Sequence, residues 1–245
     1  MIKIVLPLML IVFAAAWSAC AKDRFESDTF PAPEGDLKIA FIGHGSLLFS
    51  FNGKNVYVDP FGKLADFGAL PRADLVLITH EHGDHMDKEA IAKLRTKDTA
   101  ILLTEACAKE VQGGTVMKNG DTKTVGDFKV EAVPAYNLVH MRSAGVPFHP
   151  KGAGNGYVIT FGKKRVYVAG DTENIPEMKA LAGVDIAFIP MNLPYTMTPE
   201  MAADAALMLK PGILYPYHYG ETDVSRLLAL MKDRKGTEVR VRKMQ

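Results

Sequence analysis

From Leu37 onward, apolar residues fall into short runs separated by turn residues. Leu37 to Ile42 alternates as a half-buried strand does. Leu47–Phe51 and Val56–Val58 flank Asn52-Gly53-Lys54, a hairpin signal. Asp74–Thr79 and Asp185–Ile189 are nearly continuous apolar runs and read as strands buried on both faces. Ala100–Leu103, Phe128–Val133 and Ile213–Tyr215 read as further strands, and Tyr157–Phe161 with Arg165–Ala169 as a second hairpin around Gly162-Lys163-Lys164. Helical spacing occupies Asp87–Leu94 and Thr222–Lys232. A third helix opens at Thr198-Pro199-Glu200, with Thr as N-cap and Pro at the first helical position, and stops at Lys210-Pro211-Gly212.

The pattern repeats. Phe51-Asn52-Gly53-Lys54-Asn55-Val56-Tyr57-Val58-Asp59 matches Phe161-Gly162-Lys163-Lys164-Arg165-Val166-Tyr167-Val168, followed by Ala169-Gly170-Asp171. Asp74–Ile78 is echoed by Asp185–Ile189 at the same offset, near 111 residues. Each hairpin delivers an aspartate just past its second strand. Two similar β-rich halves predict two sheets packed face to face with helices outside.

Met1–Ala19 has a different pattern: Lys3, an apolar middle and a small-residue exit, the form of a secretory signal. Its apolar part is short of the roughly 20 residues a spanning helix needs. Trp17-Ser18-Ala19-Cys20 resembles a bacterial lipobox, with Trp17 where Leu is usual, so Cys20 is expected to be the lipidated first residue. Ordinary cleavage after Ala19 or Ala21 is the alternative. The chain is therefore expected outside the cytoplasm, as an envelope lipoprotein or a secreted protein. Polar, Pro-containing Lys22–Asp36 reads as a tether. The division is a signal at 1–19, a lipidated N-terminus and tether at 20–36, and one domain at 37–245.

Composition supports one core, with 48% hydrophobic residues in 245. Without Lys3, 28 basic side chains face 28 acidic ones, which gives no bulk pull towards nucleic acid or anionic lipid. The expected partner is a small-molecule or lipid substrate, with membrane contact through the N-terminal lipid only. Basic Lys232–Lys243 reads as a solvated helix and edge strand. Two cysteines exclude a disulfide framework, and Cys107 is expected to be buried as a small apolar residue.

The chemistry lies in Thr79-His80-Glu81-His82-Gly83-Asp84-His85, directly after a buried strand. Three of seven histidines and an aspartate within six positions suit zinc, iron or manganese. One ion cannot comfortably take all four, whereas two ions about 3.5–4 Å apart can, with a bridging carboxylate. Asp171, after a strand and next to small Gly170, is the candidate bridge, and His218 in Tyr215-Pro216-Tyr217-His218 is a further candidate ligand. Asp59 is expected to accept a hydrogen bond from a ligand histidine or a backbone group, or to form the turn before Pro60; His44 to line the site or to serve structure; and Tyr195 to stand at the mouth and bind substrate, or to pack as an aromatic. Neither a Walker loop nor a G-x-S-x-G elbow occurs, which leaves metals as the chemistry.

The order HxHxDH, a later His, an Asp in a Gly-Asp-Thr setting and a final His resembles the metallo-β-lactamase superfamily over residues 37–220. Gly43-His44-Gly45-Ser46, Val58-Asp59-Pro60-Phe61 and Asn192-Leu193-Pro194-Tyr195-Thr196-Met197 look like its ascorbate-lactonase-like and N-acylethanolamine phospholipase D-like branch. The resemblance implies an α/β fold, a four-layer αββα sandwich of two mixed β-sheets. It implies one ion on His80, His82 and a third His, another on Asp84, His85 and His218, and Asp171 between them. The third His is His149 or His140. His149 is favoured because Pro147–Gly152 leading into Gly156-Tyr157-Val158 looks like this branch. The expected cofactors are two divalent ions, Zn2+ first and Mn2+ or Fe2+ next. The expected activity is hydrolysis of a phosphodiester, lactone or related ester by a metal-bridging hydroxide, with Asp84 orienting the nucleophile. The alternative is a metal-binding envelope lipoprotein without catalysis.

Overall fold

The computed structural model describes residues 24–244, so the signal segment and Cys20 lie outside the described residues. The first sheet contains β1 (Ser27–Phe30), β2 (Leu37–Gly43), β3 (Ser46–Phe51), β4 (Lys54–Val58), β5 (Leu75–Leu77), β6 (Ala100–Leu103) and β7 (Thr115–Val116), side by side in chain order. β1 to β4 pair antiparallel and β4 to β7 parallel. In the second half come β8 (Thr122–Val125), β9 (Phe128–Ala135), a separate hairpin of β10 (Met141–Ser143) and β11 (Val146–Pro147), then β12 (Gly154–Phe161), β13 (Lys164–Val168), β14 (Ile186–Pro190), β15 (Ile213–Tyr217) and β16 (Glu238–Val239). Their sheet runs β16-β15-β14-β13-β12-β9-β8. Its β12–β16 repeats the pairing senses of β3–β7: one antiparallel hairpin, then parallel neighbours.

The inner faces meet through aromatic side chains. Phe49 lies 5.4 Å from Phe161, and Phe41 packs between Phe188 and Tyr215. Each such ring contributes about 1.5–3 kcal/mol by leaving water. Outside the first sheet, α1 (Lys88–Leu94) sets Ile91 and Leu94 against Tyr57, Ile78 and Leu103, beside buried Cys107 on α2 (Glu105–Ala108). Outside the second, α3 (Pro199–Leu209) and α4 (Val224–Met231) bury Ala202, Leu209 and Leu227. The result is the four-layer αββα sandwich of two mixed sheets. The caps follow sequence chemistry: Asp87 accepts from Glu89 and Ala90 N–H, Thr198 from Met201, and Asp223 from Ser225. Among the described residues, no helix is long and apolar enough to cross a membrane.

Two expectations need correction. Phe128–Val133 continues to Ala135, and β12 starts at Gly154 rather than Tyr157, because Gly154-Asn155-Gly156 pairs its backbone with Val133–Ala135. Those residues carry no apolar signal, yet a Cβ on Gly156 would stand 2.8 Å from Ala169 O. Second, the tether read over Lys22–Asp36 includes a strand of the fold. Ser27–Phe30 pairs with β2, and Asp28 accepts from Arg242 Nη2 at 2.8 Å, from Arg240 and from Tyr215 OH.

That cluster holds the N-terminal strand to the C-terminal tail. Burial alone would raise the Asp28 carboxyl, but Arg242 and Tyr215 outweigh it and lower it. A depressed carboxylate stabilises the fold above its ordinary value near 3.9, and that contribution is lost as pH falls through the folded value. Asp28→Asn should therefore cost about 2 kcal/mol in urea denaturation at pH 7. An unchanged midpoint would show that β1 is not anchored this way.

Candidate metal centre

The ligand-type side chains converge where strands of both sheets end. His80, His82, Asp84 and His85 follow β5, Asp171 follows β13, and His218 follows β15. Parallel strands deliver these ends to one edge, and tight turns aim the side chains. Asp59 and His218 have φ of 45° and 46°, and His44 has φ of 50°. Left-handed backbone at non-glycine residues is costly and concentrates at functional sites. Gly170 has φ 66°, and a Cβ there would stand 2.8 Å from Asn155 O, so only glycine fits before Asp171. A Cβ on Gly45 would lie 2.9 Å from the His85 ring.

Two groups of donor atoms result, His80, His82, His149 and Asp171, and His44, Asp84, His85 and His218. In the first, His80 Nε2 is 3.0 Å from His82 Nδ1, and Asp171 Oδ2 is 3.3 Å from His149 Nε2 and 3.8 Å from His80 Nε2. In the second, His85 Nε2 is 3.1 Å from His218 Nε2, and Asp84 Oδ2 is 3.8 and 3.7 Å from those nitrogens. Asp171 Oδ1 faces the same two at 3.5 and 3.6 Å. One Asp171 oxygen therefore addresses each group. Ligand atoms at about 2.0–2.1 Å from a tetrahedral zinc stand roughly 3.3 Å apart, close to these spacings. His149 Nε2 and Asp171 Oδ1 are buried without a hydrogen-bond partner. Buried polar atoms are rarely left so. The donor set fits divalent metal.

Surrounding hydrogen bonds fix the tautomers that such binding needs. Asp59 Oδ2 accepts from His85 Nδ1 at 2.8 Å and from Thr79 Oγ1, while its Oδ1 accepts from Thr79 N. Thr79 Oγ1, 3.0 Å from His80 Nδ1, is then free to accept from it. Asn137 Oδ1 accepts from His149 Nδ1 at 2.7 Å, and the Asn192 amide lies 3.2 Å from His218 Nδ1. Nε2 of His80, His85 and His149 is thus left for the centre. Such partners orient ligands and raise their basicity.

Electrostatics agree with a cationic occupant. Burial, with His85 next in effect, pushes His80 well below the ordinary imidazole value. Burial also opposes charge on His85, but Asp171, Asp59 and Asp84 outweigh it and raise that ring to about 9. Burial would raise Asp171 and Asp84 too. Imidazoles dominate instead: His218 and His85 hold Asp171 well below the carboxylate range, and His218 and His44 do the same for Asp84.

Of the two candidates for the third histidine, His149 joins the cluster and His140 does not. His140 Nδ1 lies 2.8 Å from Glu173 Oε1 without hydrogen-bond alignment, in the loop leading to His149. His44 stands closer to the centre than a lining residue need be, with Nε2 2.9 Å from Asp84 Oδ2 and its ring centroid 3.7 Å from that of His218, tilted by 36°. Tyr195 is 44% exposed at the mouth of a cavity of about 350 Å³ that reaches Asp84, Asp171 and His218. Asn137, Glu173, Asn192 and Arg142 escaped the sequence reading. Their partners lie 12 to 60 residues away, beyond any local spacing signal.

Residues 38–218 match the family model of the beta-lactamase superfamily domain. A metal-dependent hydrolase of the UPF0173 group from Symbiobacterium thermophilum is 34% identical over 221 residues, 84% of this chain and 92% of that protein. The crystal structure of a candidate metal-dependent hydrolase from Parabacteroides distasonis superposes with a TM-score of 0.86 at 48% identity, covering 90% of this chain and 100% of that one. Igni18, a metallo hydrolase from Ignicoccus hospitalis, superposes with a TM-score of 0.70 at 24% identity, covering 85% and 95%, a likeness of fold.

Proposed function

We propose, from the premise that this chain belongs to the metallo-β-lactamase superfamily and is a metal-dependent hydrolase, that it works with two divalent ions, zinc first, on a phosphodiester, lactone or related ester. His80, His82 and His149 would hold one ion, and Asp84, His85 and His218 the other. One observation carries the reading: the two oxygens of Asp171 face separate groups of imidazole nitrogens. Bound there, such ions would supply a water with its pKa lowered towards about 7 and a Lewis acid for the oxygen that gains charge. The protein does the rest. Asp84, 38% exposed on the cavity wall, would accept a hydrogen bond from the attacking water, and His44 Nε2 holds its Oδ2 at 2.9 Å. Asp59, Thr79 and Asn137 hold the imidazoles in one tautomer. Export and lipidation at Cys20 belong to the same proposal and rest on residues 1–20 alone.

Elemental analysis of the purified, reconstituted domain should give two equivalents of metal. Hydrolysis of a panel of phosphodiesters, lactones, thioesters and β-lactams should reveal one responsive bond class. His80→Ala/His82→Ala should lose an ion and at least a thousandfold in rate together, about 4 kcal/mol. Less than one equivalent in the parent protein would sink the proposal.

A further inference from the structure

Nine large apolar side chains are markedly exposed among the described residues, and six come from two loops: Leu138, Val139, Met141, Val146, Leu193 and Tyr195. Scattered apolar residues need no account, but a concentration does. Both loops border the cavity over the metal-ligand cluster, through Arg142 and Phe148 on one side and Asn192 and Tyr195 on the other. The loops are joined. Phe148 meets Tyr195 edge to face at 5.0 Å, and Asn137 Nδ2 donates to Tyr195 O at 2.9 Å. Exposed apolar side chains on the two loops thus form a collar beside the entrance to a polar centre, with Tyr195 lining the cavity itself.

One cation stands inside it. Arg142, in the middle of β10, reaches the cavity with Nη2 3.5 Å from His82 Nε2. That contact is at the long limit of a hydrogen bond and engages one of the five N–H groups of the guanidinium, which leaves the others free. Among the described residues, no carboxylate pairs with Arg142. A guanidinium presents a rigid fork that suits phosphate or carboxylate oxygens.

We propose that the loops 138–147 and 193–195 are the recognition surface of this centre, with Arg142 pairing an anionic group beside the scissile bond and the collar holding an aliphatic chain. The substrate class is an anionic amphiphile. This rests on reading the cavity as the hydrolytic site, but the surface can be tested through binding alone. Titration calorimetry with octyl phosphate, below its micellar concentration, and with ethyl phosphate should show the octyl compound binding at least tenfold tighter. The preference should survive removal of metal by chelation, because the collar and not the ions makes it. Arg142→Ala should weaken both compounds at least tenfold. Val139→Ser/Val146→Ser should bring octyl phosphate down to the level of ethyl phosphate, and both variants change exposed side chains only. Equal binding of the two phosphates, or unchanged affinity in Arg142→Ala, overturns the assignment. So does a Val139→Ser/Val146→Ser protein that keeps the chain-length preference but changes from dimer to monomer in sedimentation velocity, which would make the collar a contact between copies. Chain preference in a protein with no metal and no turnover would sink only the hydrolytic reading.

Discussion

Asp171→Ala should reduce bound metal from two equivalents to one at most and lower hydrolysis at least a thousandfold, about 4 kcal/mol of transition-state stabilisation. The size follows from its position. Asp171 is 6% exposed, and its oxygens lie 3.3 to 3.8 Å from four imidazole nitrogens in both donor groups. Removing another ligand leaves one group intact, whereas removing Asp171 takes an anionic oxygen from both. Asp171→Asn separates charge from shape. It keeps the volume and one neutral carbonyl oxygen, so one ion should bind weakly and hydrolysis should stay near the alanine level. Circular dichroism must show both variants folded. Two full equivalents in Asp171→Ala, with less than a tenfold loss in rate, would remove the shared carboxylate from the mechanism.

Glu173→Gln should destabilise the fold by about 3 kcal/mol at pH 7 and weaken one metal ion about 10–100-fold. Glu173 is fully buried. Its carboxylate accepts from the N–H groups of Leu138, Val139 and His140 at 2.7 to 2.8 Å and from Asn137 Nδ2 at 3.1 Å. Asn137 in turn accepts from His149 Nδ1, so Glu173 is a positioning residue two hydrogen bonds from the centre. A glutamine turns an NH2 group towards backbone donors, and the loop must open. Burial alone would raise the Glu173 carboxyl, but these donors outweigh it and lower it. Its contribution is therefore complete above the ordinary value near 4.3 and disappears as pH falls through the lower folded value. Urea denaturation should show the gap between parent and variant at pH 7 and its closure in acid. A gap that persists at pH 2 would mean that the effect is packing and not charge.

Much of this was legible in the chain because its causes are local. The turn Asn52-Gly53 makes a hairpin wherever it sits, with Gly53 at φ 75°. Asp87, Thr198 and Asp223 cap helices with side chains two or three residues from the N–H groups they satisfy. Asp223 moves the last helix one turn-residue later than Thr222, an error of boundary and not of kind. The density of ligand-type residues at 80–85 likewise needs no tertiary information, since no core would tolerate it unpaired.

The rest was non-local. Ser27–Phe30 reads as polar tether because its stability comes from Arg240 and Arg242, more than 200 residues away. His140 and His149 lie in one loop, and only the resemblance of Pro147–Gly152 to this branch favoured His149 in the sequence. The fold supplies the physical reason: Glu173 ties down the loop at 138–140, and the β10–β11 turn carries the chain back so that Asn137 holds His149. The sequence by itself determined which residue types could hold metal and on which strand ends they sit, through periodicity and spacing. The division of the run at residues 79–85 was implied by family resemblance, but only the tertiary structure gives it a physical cause: the two oxygens of Asp171 reach it from the other sheet, a closeness in space that has no trace in chain separation.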